Sequence, residues 1–246
     1  MSIISISGKK TAGKNTIAKI INQLTNNKYE EKCFADKLKD IICILVNCNR
    51  DQLENESFKS KELGEEWWYW YMERDGGYSP IILDYLTTTK KQLKNYEGLE
   101  LIKPTPRFLL QFIGTNLLRN QLHPEIWVNS LMNEYKSYLS SNHPVDDLDW
   151  EPRFIYPNWI ITDMRFPNEM EAVKKRGGIT IRVNRPCDIC GGSGYHKMSC
   201  PISKSGEHES ETALNNYEFD YVVDNGSDIQ SLIEKVREIL KKEKLL

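Results

Sequence analysis

A stretch near the start of the chain, ISISGKKTAGKNTIAKII, constrains the fold more than any other. Residues 3–6 predict a short buried strand, and Gly8 and Gly13 follow it with four residues between them. Beyond Lys14, apolar side chains recur at helical spacing from Ile17 onward. Glycines let the backbone turn tightly and approach a ligand closely, and the first amides of a helix can bind an anion. This order of elements predicts a phosphate-binding P-loop, in which Lys14 reaches the β- and γ-phosphates of a nucleotide.

The hydroxyl group of this loop lies one residue later than in the common pattern. Asn15 follows the lysine directly, and Thr16 comes next. The spacing Gly-Lys-x-Thr resembles the nucleoside monophosphate kinase branch of the P-loop proteins, in which the threonine holds Mg²⁺ near the phosphates. The resemblance implies the same role for Thr16. The alternative is a Gly-Lys-rich turn without a ligand, which the agreement of strand, loop and helix disfavours.

Composition excludes several classes of protein. A chain of 246 residues can form one α/β domain with insertions and a sizeable core. Its net charge of −2 argues against a strongly basic nucleic-acid binder. No apolar run approaches about 18 residues, the length of a membrane span, and the first apolar run lacks the basic lead of a signal peptide. We therefore expect a cytoplasmic protein with no nucleic-acid or membrane partner, whose six cysteines are free, buried or metal-bound.

The second predicted strand, residues 31–36, ends in charged side chains. A helix over residues 37–46 follows, with its apolar residues on one face. Functional groups of α/β sheets gather at the carboxyl ends of strands. Asp36 and Lys37 are therefore candidate substrate-side residues, although surface charges at a helix start would give the same pattern.

Residues 49–157 are interpreted as a region inserted on the acceptor side of the fold. The aromatic block at 67–71 is typical of packing inside such a subdomain. A helix is predicted from the N-cap Thr105 to about residue 120, and another over 125–139 that carries Trp127. Arg107 and Gln111 are four residues apart and share a helix face. A guanidinium suits a phosphate, and an amide suits a base edge. The residues that follow this helix pair, 140–157, are interpreted as a loop.

An apolar strand predicted over residues 158–163 ends on a carboxylate. An acid at this position is how P-loop enzymes hold the second side of Mg²⁺, directly or through water. We assign that role to Asp163, and Arg165 is close enough to reach the transferred phosphoryl group; Asp163 as a mere cap of the helix carrying Glu169 is the alternative. Further strands at 178–184 and 217–224 and a helix at 229–242 complete an α/β fold with a mostly parallel sheet and helices on both faces.

Together these motifs resemble the deoxynucleoside monophosphate kinases of tailed bacteriophages and other large DNA viruses. The matching stretches are GKKTAGKNT, FADKLKD, TPRFLLQFIGTNLLRN, HPEIWVNSL, ITDMRFPNEMEAV, GGITIRVNRP and HESETALNNYEFDYVVDN. The resemblance implies a single P-loop kinase domain over residues 1–246 that transfers the ATP γ-phosphoryl group to deoxynucleoside 5′-monophosphates with Mg²⁺. It also implies a role in nucleotide supply for DNA synthesis, a homodimer and, for a viral protein, the host cytoplasm.

The candidate residues fall into four groups. The catalytic candidates are Lys14, Asp163 and Arg165. The ATP-binding candidates are Gly8, Lys10, Ala12, Gly13, Lys14, Asn15, Thr16, Arg182 and Asn225, with Asn225 near adenine. The acceptor-binding candidates are Asp36, Lys37, Arg107, Gln111, Trp127, Arg165 and Glu169. The Mg²⁺ candidates are Thr16 and Asp163.

Two other readings of the sequence stay open. One is a P-loop kinase of another small acceptor, a ribonucleoside monophosphate or a coenzyme precursor. The other is a non-catalytic nucleotide-binding protein. The pair Asp163 and Arg165 favours an enzyme, because a protein that only binds nucleotide needs neither side chain.

The segment 185–211 occupies the position of a kinase lid, which closes over ATP and excludes water. It contains the order Cys187-x2-Cys190-x5-His196-x3-Cys200. Four nitrogen and sulfur ligands at such spacings suit tetrahedral Zn²⁺. The alternative is a Gly-Ser-rich loop with free cysteines.

If zinc orders this lid, purified protein should contain about one zinc ion per chain. The double variant Cys187→Ser/Cys190→Ser should lose it, because two of the four predicted ligands are removed. Elemental analysis measures the metal content. Metal-free protein with full activity would eliminate the zinc hypothesis.

Overall fold

The computed structural model describes residues 2–72, 81–84, 100–139, 154–186 and 209–246. They form two compact units, Met1–Asp36 with Glu125–Leu246, and Lys37–Pro124. Across these described ranges, no helix is both long enough and apolar enough to cross a membrane.

The elements of the chain are as follows. The strands are β1 (Ile3–Ser7), β2 (Glu30–Lys32), β3 (Tyr69–Met72), β4 (Ile81–Asp84), β5 (Glu100–Ile102), β6 (Tyr138–Leu139), β7 (Phe154–Ile155), β8 (Trp159–Ile161), β9 (Ile179–Asn184) and β10 (Tyr221–Asp224). The helices are α1 (Lys14–Leu24), α2 (Asp36–Leu45), α3 (Arg50–Glu54), α4 (Glu56–Lys59), α5 (Pro106–Gln111), α6 (Ile126–Met132), α7 (Pro167–Lys174), α8 (Glu209–Thr212) and α9 (Ile229–Lys242), with a 3₁₀ turn at Glu65–Trp67 and a π-helix at Phe112–Leu122.

A five-stranded parallel sheet forms the centre of the first unit, in the order β10-β9-β1-β8-β2. The middle strand β1 is buried along its whole length because both of its faces are covered. Ile4 lies opposite Ile160 on one side and Ile179 on the other. The predicted parallel sheet is therefore confirmed, and its apolar strands are those expected of a sheet buried on both faces.

Helices cover both faces of this sheet. Ile4 and Ile6 of β1 belong to one apolar cluster with residues of α1 and α9. The preceding residue, Ile3, points to the other face, since successive side chains of a strand alternate. Helix α7 contacts β1 and β9. Helix α9 spans the predicted residues 229–242.

Strand β2 is shorter than predicted and ends at Lys32 rather than Asp36. The reason lies in the next three amides, which donate to carboxylates instead of to a neighbouring strand. Cys33 N donates to Asp36 Oδ2 at 2.8 Å, while Phe34 N and Ala35 N donate to the two oxygens of Asp163. A backbone donor used in this way cannot extend the sheet.

Helix α6 ends at Met132, whereas the sequence predicts a helix to residue 139. The chain turns there and forms β6, which pairs in antiparallel orientation with β7. The ring of Tyr135 lies 4.8 Å from that of Trp159 and 5.2 Å from that of Tyr156, measured between centroids. These aromatic contacts hold the residues after Met132 against the sheet.

The second unit begins at Lys37, before the predicted insertion of 49–157, and ends at Pro124, within it. Its antiparallel sheet, in the order β4-β3-β5, includes part of the aromatic block and was not predicted. Thr105 caps α5 as expected, accepting from Phe108 N at 3.1 Å. The predicted single helix is α-helical only to Gln111 and continues as a π-helix to Leu122.

A left-handed glycine closes α7 and directs the chain into β9. Gly177 has a φ of 69°. Gly177 N donates to Lys174 O, and Gly178 N donates to Val173 O. These two bonds form the Schellman arrangement, which satisfies the last carbonyls of a helix.

Replacing Gly177 with alanine should lower the free energy of unfolding by about 1–2 kcal/mol, because an L side chain disfavours the left-handed conformation. Gly177→Asn should cost less, since asparagine tolerates that region better. Urea unfolding measures both variants, with Lys175→Ala as an exposed control. An alanine variant as stable as the parent would contradict the role of this cap.

Candidate active site

The loop between β1 and α1 turns through two left-handed residues, Thr11 at φ 61° and Gly13 at φ 104°. A Cβ at Gly13 would lie 2.3 Å from Asn225 Nδ2, so a side chain there would be excluded by contact as well as by conformation. Asn225 Nδ2 donates to Ala12 O at 2.9 Å. The loop after β10 therefore fixes the shape of the P-loop.

Lys14 opens helix α1 and folds back over the loop. Its ammonium donates to Gly8 O at 2.7 Å and to Lys9 O at 2.9 Å. Gly13 precedes the helix and offers no side-chain oxygen to the amides of its first turn. Lys10, Asn15 and Thr16 are exposed beside the loop. The combination of first-turn amides and a lysine is that of an anion site.

The pKa of Lys14 is lowered from 10.5 to about 8. Burial is the largest cause, and the positive charge of Arg165 adds to it. Arg182 lowers the pKa further, while Glu211 and Asp163 act in the opposite direction. Lys14 therefore lies within electrostatic range of two arginines and two acids.

Asp163 follows β8 and binds the backbone of the neighbouring strand end. Oδ1 accepts from Phe34 N at 2.8 Å and Oδ2 from Ala35 N at 3.0 Å. Each carboxylate oxygen can accept a further bond. The acid thus orders the β2–α2 connection and still lies near Lys14.

Glu169 holds the backbone that carries Arg165. Its Oε2 accepts from Arg165 N at 2.7 Å and from Phe166 N at 3.1 Å. The side chain is 2% exposed and caps the start of α7. Glu169 therefore holds the backbone at the start of α7, and its predicted contact with the acceptor nucleotide stays a prediction.

Glu211 contacts one arginine of the site and acts through its charge on a second. Arg165 Nη1 forms an ion pair with Glu211 Oε1. Arg182, on β9, donates to Ser7 Oγ at 3.1 Å and to Asn215 Oδ1 at 3.3 Å. Burial lowers the pKa of Arg182, and the charge of Glu211 opposes that shift. Glu211 is a site residue that the sequence reasoning left out, although it lies in the family-like stretch HESE.

A cavity of about 290 Å³ lies beside the P-loop in the first unit. Its walls come from the start of α1, the end of β9 and the loop between β10 and α9. The lining residues are Thr16, Arg185, Pro186, Asn225, Gly226, Ser227, Ile229 and Leu232. Apolar and polar groups thus surround a space adjacent to the candidate phosphate site.

The candidate acceptor residues are divided between the two units. Asp36 and Trp127 belong to the first unit; Asp36 Oδ2 binds Cys33 N, and Trp127 is 6% exposed within α6, a burial typical of a packing side chain. Lys37, Arg107 and Gln111 belong to the second unit. There Arg107 Nη2 pairs with Glu56 Oε2 at 2.6 Å, and Lys37 is exposed.

The four predicted zinc ligands, Cys187, Cys190, His196 and Cys200, lie outside the described residues, as does most of the predicted lid. Among the residues that are described, no group of three or more His, Cys, Asp and Glu side chains is arranged to hold a metal ion.

Comparison with known proteins supports one family. No family model matches the chain. A protein of Acanthamoeba polyphaga mimivirus, provisionally named a deoxynucleotide monophosphate kinase, is 24% identical over 96% of this chain and 94% of its own. The deoxynucleotide monophosphate kinase of Escherichia phage RB69 is 25% identical over 98% of this chain and 100% of its own. The deoxynucleoside-5′-monophosphate kinase of Escherichia phage T5 is 25% identical over 70% of this chain and 72% of its own.

These similarities extend along most of the chain, and they agree with the parallel sheet and the P-loop that the structure contains. The resemblance inferred from the motifs is thereby confirmed. Over most of its length the chain is similar to viral and bacteriophage proteins named as deoxynucleotide or deoxynucleoside monophosphate kinases.

Proposed function

We propose that this protein is an enzyme that transfers the γ-phosphoryl group of ATP to deoxynucleoside 5′-monophosphates and forms the diphosphates. The observation that carries the proposal is the group of Lys14, Arg165 and Arg182 beside the P-loop, at the carboxyl edge of the parallel sheet. Ligands of α/β sheets bind at this edge. The family supplies the class of acceptor.

On the donor side, the first-turn amides of α1 and the ammonium of Lys14 bind the phosphates of ATP. The cavity lined by Thr16, Arg185 and Asn225 is adjacent to that loop and is suited to the base and sugar. Asn225 serves mainly by holding Ala12 O, so its contribution to adenine is indirect.

The residues present fit a Mg²⁺ ion. The Thr16 hydroxyl is exposed beside the loop. The two Asp163 oxygens accept one amide each, and carboxylate oxygens bind Mg²⁺ directly or through its water ligands. When bound, the ion neutralises charge on the β- and γ-phosphates.

On the acceptor side, Arg107 and Gln111 of the second unit are proposed to bind the monophosphate nucleotide. Arg107 can exchange its partner Glu56 for a phosphate, because the pair is partly solvent-exposed. We propose that Asp36, Lys37 and Trp127 support the acceptor site without contacting the nucleotide directly.

Charge stabilisation is the main task of these side chains during transfer. The acceptor oxygen is already anionic, so no strong general base is required. Arg165 approaches the transferred group from a backbone fixed by Glu169, and Lys14 lies within electrostatic range of it. Positioned cations of this kind stabilise the charge of the transition state without reorganising.

The direct test is ADP release with Mg-ATP and each deoxy- and ribonucleoside monophosphate in parallel. Turnover with deoxynucleotides is expected. Arg165→Met should lower turnover by about 100- to 1,000-fold, since a donor to the developing charge is lost. Arg176→Met, an exposed arginine of the same unit, should match the parent.

Turnover only with ribonucleotides or with a coenzyme precursor would replace this proposal by another P-loop kinase. ATP binding without turnover on any acceptor would indicate a non-catalytic nucleotide-binding protein. Normal turnover in folded Arg165→Met would remove Arg165 from the transfer centre.

The lowered pKa of Lys14 gives a pH-dependent prediction. Below about pH 7 the ammonium is already protonated, so ATP binds without proton uptake by Lys14. Above its pKa of about 8 the free amine must gain a proton to pair with phosphate. The Kd for metal-free ATP should therefore rise with pH above 8, approaching about tenfold per pH unit at full coupling.

Titration calorimetry in two buffers of different ionisation enthalpy measures this uptake. The phosphates of ATP are fully ionised above pH 8 and do not contribute. Lys14→Arg, which stays charged, should bind ATP without the buffer dependence. Equal proton uptake in the parent and in Lys14→Arg would show that another group is responsible.

A further inference from the structure

Three acids surround the cations of the candidate phosphate site, and they differ in how they are held. Asp163 and Glu169 each accept two backbone amides. Those bonds orient the two carboxylates toward the main chain. The contact that distinguishes Glu211 is instead an ion pair with a side chain, the guanidinium of Arg165.

The carboxylate of Glu211 interacts with all three cations of the site. It pairs with Arg165 Nη1, which also donates to Ser210 O at 3.4 Å. Its charge acts on Lys14 and on Arg182 as well. An anion within range of one lysine and two arginines has the surroundings that a phosphate oxygen would require.

This ion pair can open at low cost. The side chains of Arg165 and Glu211 are 38% and 27% exposed, so water can solvate each charge when they separate. Partly exposed pairs of this kind contribute little net stability. By contrast, Glu169 is 2% exposed and would leave two amides without an acceptor if it moved.

We propose that Glu211 is an internal competitor for the polyphosphate site: its carboxylate holds the Arg165 guanidinium and must leave it before Arg165 can bind a phosphoryl group. The identity of that group rests on the proposed function. Glu211 is thus a positioning residue, which keeps Arg165 oriented and lowers the affinity of the site for polyanions.

The test is calorimetric titration of the full-length protein with tripolyphosphate at neutral pH, without divalent cations. Glu211→Gln keeps the size of the side chain and removes its charge. This variant should bind tripolyphosphate about tenfold more tightly than the parent, because a like charge no longer competes with the ligand. Glu209→Gln makes the same charge change two residues away on the same short helix and should change affinity by less than about twofold.

If Glu211 served only as a structural partner of Arg165, removing its charge would weaken tripolyphosphate binding. A gain in affinity therefore distinguishes a competitor from a structural residue. A folded Glu211→Gln protein that binds tripolyphosphate equally or more weakly than the parent would overturn the proposal. If that variant does not fold, Glu211→Asp, which withdraws the charge from Arg165, should still bind more tightly than the parent; equal or weaker binding overturns the proposal in the same way.

The involvement of Arg165 is tested separately. In an Arg165→Met background the gain from Glu211→Gln should be clearly smaller than in the parent, because only the effect of the charge on Lys14 and Arg182 remains. A full gain in the Arg165→Met background would show that the Arg165–Glu211 ion pair does not cause the change in affinity, and would overturn the proposal. Tripolyphosphate binding needs no acceptor and no turnover, so failure of the kinase assay and failure of this inference are distinguishable.

Discussion

The crowding of positive charge at one edge of the sheet is the constraint on which the site depends. Lys14 and Arg165 come after the strands β1 and β8, and Arg182 lies within the adjacent strand β9. Partial burial and the charge of Arg165 bring the pKa of Lys14 down to about 8. Neighbouring positive charges repel each other. The arrangement is stable because acids lie between the cations and because the strands fix the position of each cation.

Two of these acids, Asp163 and Glu169, also hold backbone amides in place. Hydrogen bonds to a charged acceptor are each worth about 1.5–3 kcal/mol. Asp163 accepts two of them, from the amides of Phe34 and Ala35. These bonds end β2 and begin the turn into α2. The charge that offsets the cations is therefore the same charge that shapes the strand ends. Removing it would disturb electrostatics and backbone together.

Features set by local sequence were predictable, and features set by distant pairing were not. The P-loop, α1, the parallel sheet and α9 follow from nearby residues and their spacing. The early end of β2 depends on Asp163, 128 and 129 residues away along the chain. Likewise the pairing of Glu211 with Arg165 joins residues 46 positions apart, and no local pattern around Glu211 reveals it.

The element boundaries that were predicted wrongly also depend on contacts that the local sequence does not specify. Residues 112–122 keep a helical apolar pattern, but the π-helix that they form differs from an α-helix only in which carbonyl each amide chooses. The strands β3, β4 and β5 are three or four residues long, too short for alternation to separate them from a loop. The candidates Asp163 and Arg165 could be proposed because the end of their strand can be located from sequence, whereas their hydrogen-bond partners cannot.

Arg165 is held at both ends, and the two ends are held differently. Glu169 binds its backbone amide from a buried position, whereas Glu211 binds its guanidinium from a partly exposed one. A cation that stabilises a transferred phosphoryl group has to be oriented in advance, so that little ordering remains to be done during transfer. It also has to be free to change partners. A fixed backbone with an exchangeable head group meets both demands, which is why the distinction between these two glutamates matters more than their shared charge.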